Sequence, residues 1–192
     1  MKLVVGLGNF GSEYEATRHN IGFMAAQLVA RRYGIALKKK GYMGIYGTGA
    51  IASVQTTIIL PRTYMNHSGG CVQAVRSALH VDPPDILVIH DDLDLPFGRL
   101  KISRTGGHGG HNGIRDIIAA LEERDFVRLK IGIGKPEAGT VTHHVLGRFG
   151  AAEQAKLPLL LDTAADATEA VLIDGATDAM NKFNSYNLEE NL

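Results

Sequence analysis

The chain has 192 residues, 45% hydrophobic and 21% charged, with 23 glycines, which suits one domain with a sizeable core. No apolar run reaches the roughly 18 to 20 residues needed to cross a bilayer, the first residues read as a strand rather than a signal peptide, and a single cysteine, Cys71, leaves no internal disulfide, so a soluble, cytoplasmic protein is expected. Formal net charge is zero but uneven: residues 1–149 carry 18 Lys+Arg against 12 Asp+Glu, and residues 150–192 carry 2 against 8, which fits either a basic face opposite an acidic one or ordinary surface variation.

Lys2–Leu7 is a short apolar run ending in glycines and predicts a first buried strand. From Ile21 the apolar positions Ile21, Met24, Ala25, Leu28 and Val29 keep helical spacing, with Asn20 as N-cap and Gly34 as stop. Tyr42–Ala50 and Ala52–Leu60 predict two strands ended by Pro61. A second helix follows the Tyr64–Gly70 loop and runs to about His80. Asp85–His90 is apolar and β-branched, as a central strand should be, and Arg99–Ser103 predicts another. The glycine-rich loop Thr105–Gly110 then leads into a helix with Ile114, Ile117, Ile118 and Leu121 on one face. Phe126–Ile133 is the last clear strand, and residues 151–184 read as alanine-rich helix broken at Gly175.

Strands and helices interleave without a linker or repeat. The expected class is α/β: a single domain over residues 1–192 with a twisted, mixed, mostly parallel sheet flanked by helices, and a polar, flexible tail over 185–192. In such sheets functional residues gather at the carboxyl ends of strands. Gly8–Asn9, Pro61–Asn66, Asp91–Asp94 and Gly134–Lys135 are expected there.

Gly6-Leu-Gly-Asn-Phe-Gly11 satisfies the G-x-G-x-x-G dinucleotide fingerprint after a strand. That fingerprint works by placing pyrophosphate on the helix it opens, and here Glu13 to His19 intervene before any helical pattern. No acidic ribose ligand follows at the expected spacing, so the glycines read instead as a tight turn bringing Asn9 into a cleft.

His19 stands where this loop gives way to the first helix. An imidazole, with an unperturbed pKa of about 6.5, can take a proton from water near neutral pH, provided a partner orients its other nitrogen. Asp91, ending the buried 85–90 strand, is the candidate partner. No G-x-S-x-G elbow exists and Cys71 lies inside a helix, which favours direct attack by water. Asn9, Asn66 and Asn112 each fit an ordinary turn or cap singly; together they offer amides that bind a carbonyl or steady an oxyanion. His90, Asp91, Asp92, Asp94, His108 and His111 also suit zinc or manganese by ligand type, but no helical H-E-x-x-H frame holds them. The basic residues Lys38–Lys40, Arg99, Lys101, Arg104, Arg124, Arg128, Lys130 and Lys135 read as solvated strand faces or as phosphate contacts.

Five segments in order then resemble the bacterial peptidyl-tRNA hydrolase family across nearly the whole chain: Val5–Gly22, Pro61–Gly69, His90–Gly98, Gly106–Gly113 and Arg128–Gly134. The resemblance implies a small monomeric α/β esterase, without cofactor or metal, that cleaves the peptide from the 3′-terminal ribose of tRNA and so recycles tRNA from aborted translation. It implies His19 as the base, Asp91 as its orienter, and Asn9, Asn66 and Asn112 as positioners of substrate and water. Tyr14, Tyr64 and Met65 would line the cleft for the 3′ end and peptide backbone. Two positions depart from the family pattern. Phe10 replaces the proline of G-N-P-G, and the basic clamp on the tRNA phosphate maps to Lys130 at one point but to Ser103 at the other, leaving Lys101 and Arg104 eligible. The rival readings are a non-catalytic RNA-binding relative and a metal-dependent hydrolase.

Overall fold

The computed structural model describes residues 1–188, along which seven strands and six α-helices interleave. β1 (Lys2–Gly6) leads through 3-10 turns at Ser12–Tyr14 and Arg18–Asn20 into α1 (Ile21–Arg32). β2 (Lys39–Gly41), β3 (Gly44–Ile51) and β4 (Val54–Pro61) follow as an antiparallel ribbon. A 3-10 turn at Met65–His67 then starts α2 (Ser68–Leu79). The rest comprises β5 (Ile86–Asp92), β6 (Leu100–Ser103), α3 (Asn112–Leu121), β7 (Val127–Gly132), α4 (Val141–Val145), α5 (Ala151–Ile173) and α6 (Ala176–Phe183).

All seven strands join one sheet in the order β2-β3-β4-β1-β5-β7-β6. The central four, β4, β1, β5 and β7, run parallel, and the antiparallel strands are confined to the two edges. Alternation along the strands separates two cores. Val4, Leu87, Ile89, Leu129 and Ile131 point to the face covered by α1, α5 and α6. Leu3, Val5, Ile86 and Val88 point to the face covered by α2 and α3. Burial on both faces explains why β1 and β5 read as unbroken apolar runs.

The glycines of the first motif serve packing rather than phosphate. A Cβ on Gly6 would sit 2.6 Å from the Gly22 carbonyl oxygen, and one on Gly22 would sit 2.3 Å from that of Ile89. Their absence lets the first turn of α1 lie directly against β1 and β5. The Phe23 amide donates to the Leu7 carbonyl at 3.0 Å, locking helix to strand end. Asn20 holds the N-cap position but makes no side-chain cap bond; its amide is used elsewhere, as described below.

Three features differ from expectation. β2 and α4 were not foreseen. The break at Gly175 (φ 89°) falls where the sequence placed it and separates α5 from α6, with Pro158 accommodated inside α5. The expected tail is anchored at its start: Asn187 bridges to Arg99, and the buried Leu188 donates its amide to the Gly98 carbonyl at 3.1 Å. Residues 189–192 lie outside the described residues. Among the described residues no helix is long and apolar enough to cross a membrane.

Candidate active site

Because the four parallel strands share a direction, their carboxyl ends meet at one edge, and there a cavity of about 530 Å³ opens. Asn9, Tyr14, His19, Tyr64, Met65, Asn66, Asp91 and Asn112 all line it. Val141 and Val145 of α4, with Leu146 directly after it, line the cavity too.

Asp91 is the centre. It is the second-last residue of β5, is 2% exposed, and one of its oxygens, Oδ1, accepts from two imidazoles: His19 Nδ1 at 2.8 Å and His111 Nε2 at 3.0 Å. Burial by itself raises the carboxyl's pKa, but His111 and then His19 outweigh it and hold the group well below the usual carboxylate range. His111 is the N-cap of α3, where its Nδ1 accepts from the Ile114 amide at 3.2 Å. With Nδ1 an acceptor, the neutral ring carries its proton on Nε2 and donates it to Asp91. His19, bound to Asp91 through Nδ1, keeps Nε2 for the cavity. The buried His90 points its Nδ1 at the Asp91 carbonyl, 2.7 Å away, and stacks edge-on against His111 with ring centroids 4.7 Å apart. Its Nε2 has no partner, and burial, then His111, pushes its pKa well below the usual histidine value.

His19 rides on a 3-10 turn fixed from outside the sheet. Arg18 reaches Glu153 at 2.7 Å and the Arg148 carbonyl at 2.7 Å, tying the turn to the start of α5. Asn9 is held by three hydrogen bonds. Its amide donates to Asn20 Oδ1 (2.8 Å), its carbonyl accepts from Asn20 Nδ2 (2.9 Å), and its Oδ1 accepts from the Met65 amide (2.8 Å). The placement of Asn9 is thus independent of proline at position 10. Asn112 similarly commits Oδ1, to Arg115 Nη1 at 2.9 Å. With both carbonyl oxygens occupied, Asn9 and Asn112 have their NH2 groups left to offer.

The three basic candidates lie outside the cavity lining. Lys101 and Lys130 are direct cross-strand partners on β6 and β7, and Lys130 also reaches Asp92 at 3.1 Å. Arg104 is set apart from the other two. β6 runs antiparallel to β7, so the residue after Ser103 lies at the amino end of the parallel strands, where Arg104 lines a separate cleft with Lys2, Asp85 and Asp125. It is remote from the cavity for that topological reason. The sequence reading also missed what His111 and Asn20 do. His111 reads in the sequence only as a metal ligand; its place directly before the helix-opening Asn112 is the available signal. Nothing in the local sequence marks Asn20 as the clamp on Asn9.

A buried acid bonded to an imidazole, beside donor amides in a cleft, is an arrangement of the hydrolase type, able to polarise a water molecule. A profile of the peptidyl-tRNA hydrolase family matches residues 3–191. The peptidyl-tRNA hydrolase of Syntrophotalea carbinolica is 48% identical over 96% of this chain and 97% of its own, and that of Clostridium novyi is 41% identical over 97% and 99%. The crystal structure of peptidyl-tRNA hydrolase from Acinetobacter baumannii superposes with a TM-score of 0.92 at 41% identity, covering 98% of this chain and 96% of that one. The chain belongs to the peptidyl-tRNA hydrolase family.

Proposed function

We propose that this chain is a cytoplasmic, monomeric esterase that hydrolyses the bond between a peptide and the 3′-terminal ribose of tRNA, with His19 as general base. The observation that carries the reading is the His19–Asp91 contact at 2.8 Å within a cleft lined by three asparagines. Asp91, held ionised, fixes the tautomer with the proton on Nδ1, so His19 Nε2 takes a proton from water as the water oxygen attacks the ester carbonyl carbon. The negative charge that develops on the carbonyl oxygen meets the NH2 groups of Asn9 and Asn112, with Asn66 and the Met65 wall setting the peptide backbone. Collapse breaks the bond to the ribose oxygen, which takes the proton back from His19. The products are a free peptide and a tRNA with its 3′ hydroxyl restored. His111 acts as a positioning residue by donating to the same Asp91 oxygen. Tyr14 and Tyr64 would flank the 3′ end.

Lys101 and Lys130 supply the phosphate contact in this reading. Like charges placed directly opposite on paired strands repel, and a phosphate between them relieves the repulsion. Arg104 has no part in it.

His19, Asp91 and His111 also present ligand atoms within 4.8 Å of one another, a geometry a metal could use. A metal there would have to displace the protons these imidazoles donate to Asp91. The deciding assay is release of peptide from an N-blocked aminoacyl-tRNA in excess EDTA. Turnover should persist in chelator, and His19→Ala should lower kcat/KM by about 10²- to 10⁴-fold. Activity lost in EDTA and restored by zinc or manganese would replace this reading with a metal hydrolase; tRNA binding without turnover would leave only an RNA-binding protein.

A further inference from the structure

Phe10 and Arg62 fall outside every role assigned so far. The Arg62 guanidinium lies over the Phe10 ring, 3.9 Å from its centroid, and both residues remain exposed, Phe10 by 45%. A single exposed ring is ordinary on a protein surface, but one stacked with a guanidinium offers a flat, cationic face. The pair is bound to the cleft on both sides. Phe10 follows Asn9, whose backbone is pinned by Asn20, and Arg62 stands two residues before Tyr64, which is 66% exposed and lines the cavity. The Arg62 amide donates to the Met43 carbonyl at 2.8 Å, and Met43 is 54% exposed as well. Phe10 and Arg62 do not line the cavity themselves but adjoin residues that do, Asn9 and Tyr64, and Arg62 carries the cationic charge of the pair.

We infer that the Phe10–Arg62 stack is a platform for the base of the 3′-terminal nucleotide of the substrate, an inference that rests on the esterase reading of the cleft. Single-stranded bases are splayed and stacked on aromatic rings and guanidinium planes, and every base has a π face to offer. The charge sign agrees, because the nucleotide brings phosphates that a guanidinium attracts. The geometry agrees too. The ester must sit between His19 and Asn9, and Phe10 follows Asn9 directly in the chain, so the stack adjoins the cavity lining on the side where Asn9 stands. An aromatic side chain of the peptide is a worse fit, since it brings no negative charge to match Arg62.

The test compares an N-blocked aminoacyl-tRNA with the same molecule made abasic at its terminal nucleotide. The intact substrate should be used about tenfold better in kcat/KM, mostly through KM. Phe10→Ala and Arg62→Ala should each collapse that ratio towards one, and Phe10→Trp should keep it. A short oligoribonucleotide ending in 2-aminopurine should be quenched by the unaltered protein and not by Phe10→Ala, a readout that needs no turnover. If the unaltered protein turns over and quenches but the Phe10 and Arg62 variants lose the same factor on both substrates, the platform does not touch the base and the inference is overturned. A loss that follows an aromatic amino acid in the peptide, rather than the base, overturns it in favour of the side chain. If neither substrate is hydrolysed by the unaltered protein, it is the esterase assignment that fails.

Discussion

A single carboxylate oxygen serves two histidines in this site, so Asp91 carries more than an orienting role. Asp91→Asn would keep one carbonyl to accept a proton but would turn an NH2 towards groups that are themselves donors. The expected outcome is a fall in kcat of roughly 10² to 10⁴ with KM little changed, measured by steady-state kinetics; a change confined to KM would remove Asp91 from the chemistry. Asn20 tests the second layer. Its amide makes two hydrogen bonds to the buried Asn9 backbone, so Asn20→Ala should reduce stability by about 1–3 kcal/mol and lower kcat as Asn9 drifts, readable in a denaturant titration beside the assay. Cys71 is on the buried face of α2, where burial pushes its thiol up to about 12. Iodoacetamide at pH 8 should leave it unmodified in the folded protein and label it on unfolding.

At the level of elements, the cleft depends on how closely α2 and α3 approach. A Cβ on Gly69 would lie 2.3 Å from the Asp116 carbonyl oxygen, and the Gly69 amide donates to Asp116 Oδ2 at 2.6 Å, so α3 caps the start of α2. Gly69→Ala must push the helices apart. It should destabilise by about 1–3 kcal/mol and also lower kcat, because α3 carries His111 and Asn112 at its first turn; a Tm drop with unaltered kcat would show that the helix moves without its terminus. Elements buried on two faces or one clean stripe were legible from the residues alone: β1, β5, the β3–β4 pair, α1 and α3 all follow from apolar spacing. β2 was not, being three residues, Lys39–Gly41, paired on one side and largely exposed. Nor was α4, which buries only Val145 and so leaves no periodic signal. The histidine and its acid were legible because His19 stands just before the start of one recognisable element and Asp91 near the end of another. The His111 contact spans 20 residues and reads locally as a glycine loop, and the separation of Arg104 from Lys101 and Lys130 follows from strand direction, which no residue of β6 encodes by itself.

For the molecule as a whole, the uneven charge is only partly spent inside the fold. Arg18 pairs with Glu153, and Arg32 with Asp162 and Asp166, which fastens the acidic α5 to the basic first half. Lys101 and Lys130, at the β6–β7 edge, stay available to a polyanion, with Asp92 the competitor for Lys130. Lys101→Ala should weaken substrate binding and reduce the slope of log KM against log salt by about one; an unchanged slope would place the phosphate elsewhere. Acid stability follows from the two shifted groups at the site. The His90 pKa lies below its unfolded value, so above about pH 6.5 the ring is neutral in both states and contributes no pH dependence. Below that the unfolded chain binds a proton that the fold refuses, and stability falls by up to about 1.4 kcal/mol per pH unit. Asp91 is depressed as well. Its contribution is present above the unfolded carboxylate value of 3.8 and is lost as pH falls through the region beneath it. Both slopes have one sign, in two stages. His90→Asn, whose amide can still donate to the Asp91 carbonyl, should flatten the first stage between pH 6.5 and 5 and leave the second in place. Urea unfolding at a series of pH values separates them, and a first-stage slope that survives in His90→Asn would assign the acid sensitivity to another group.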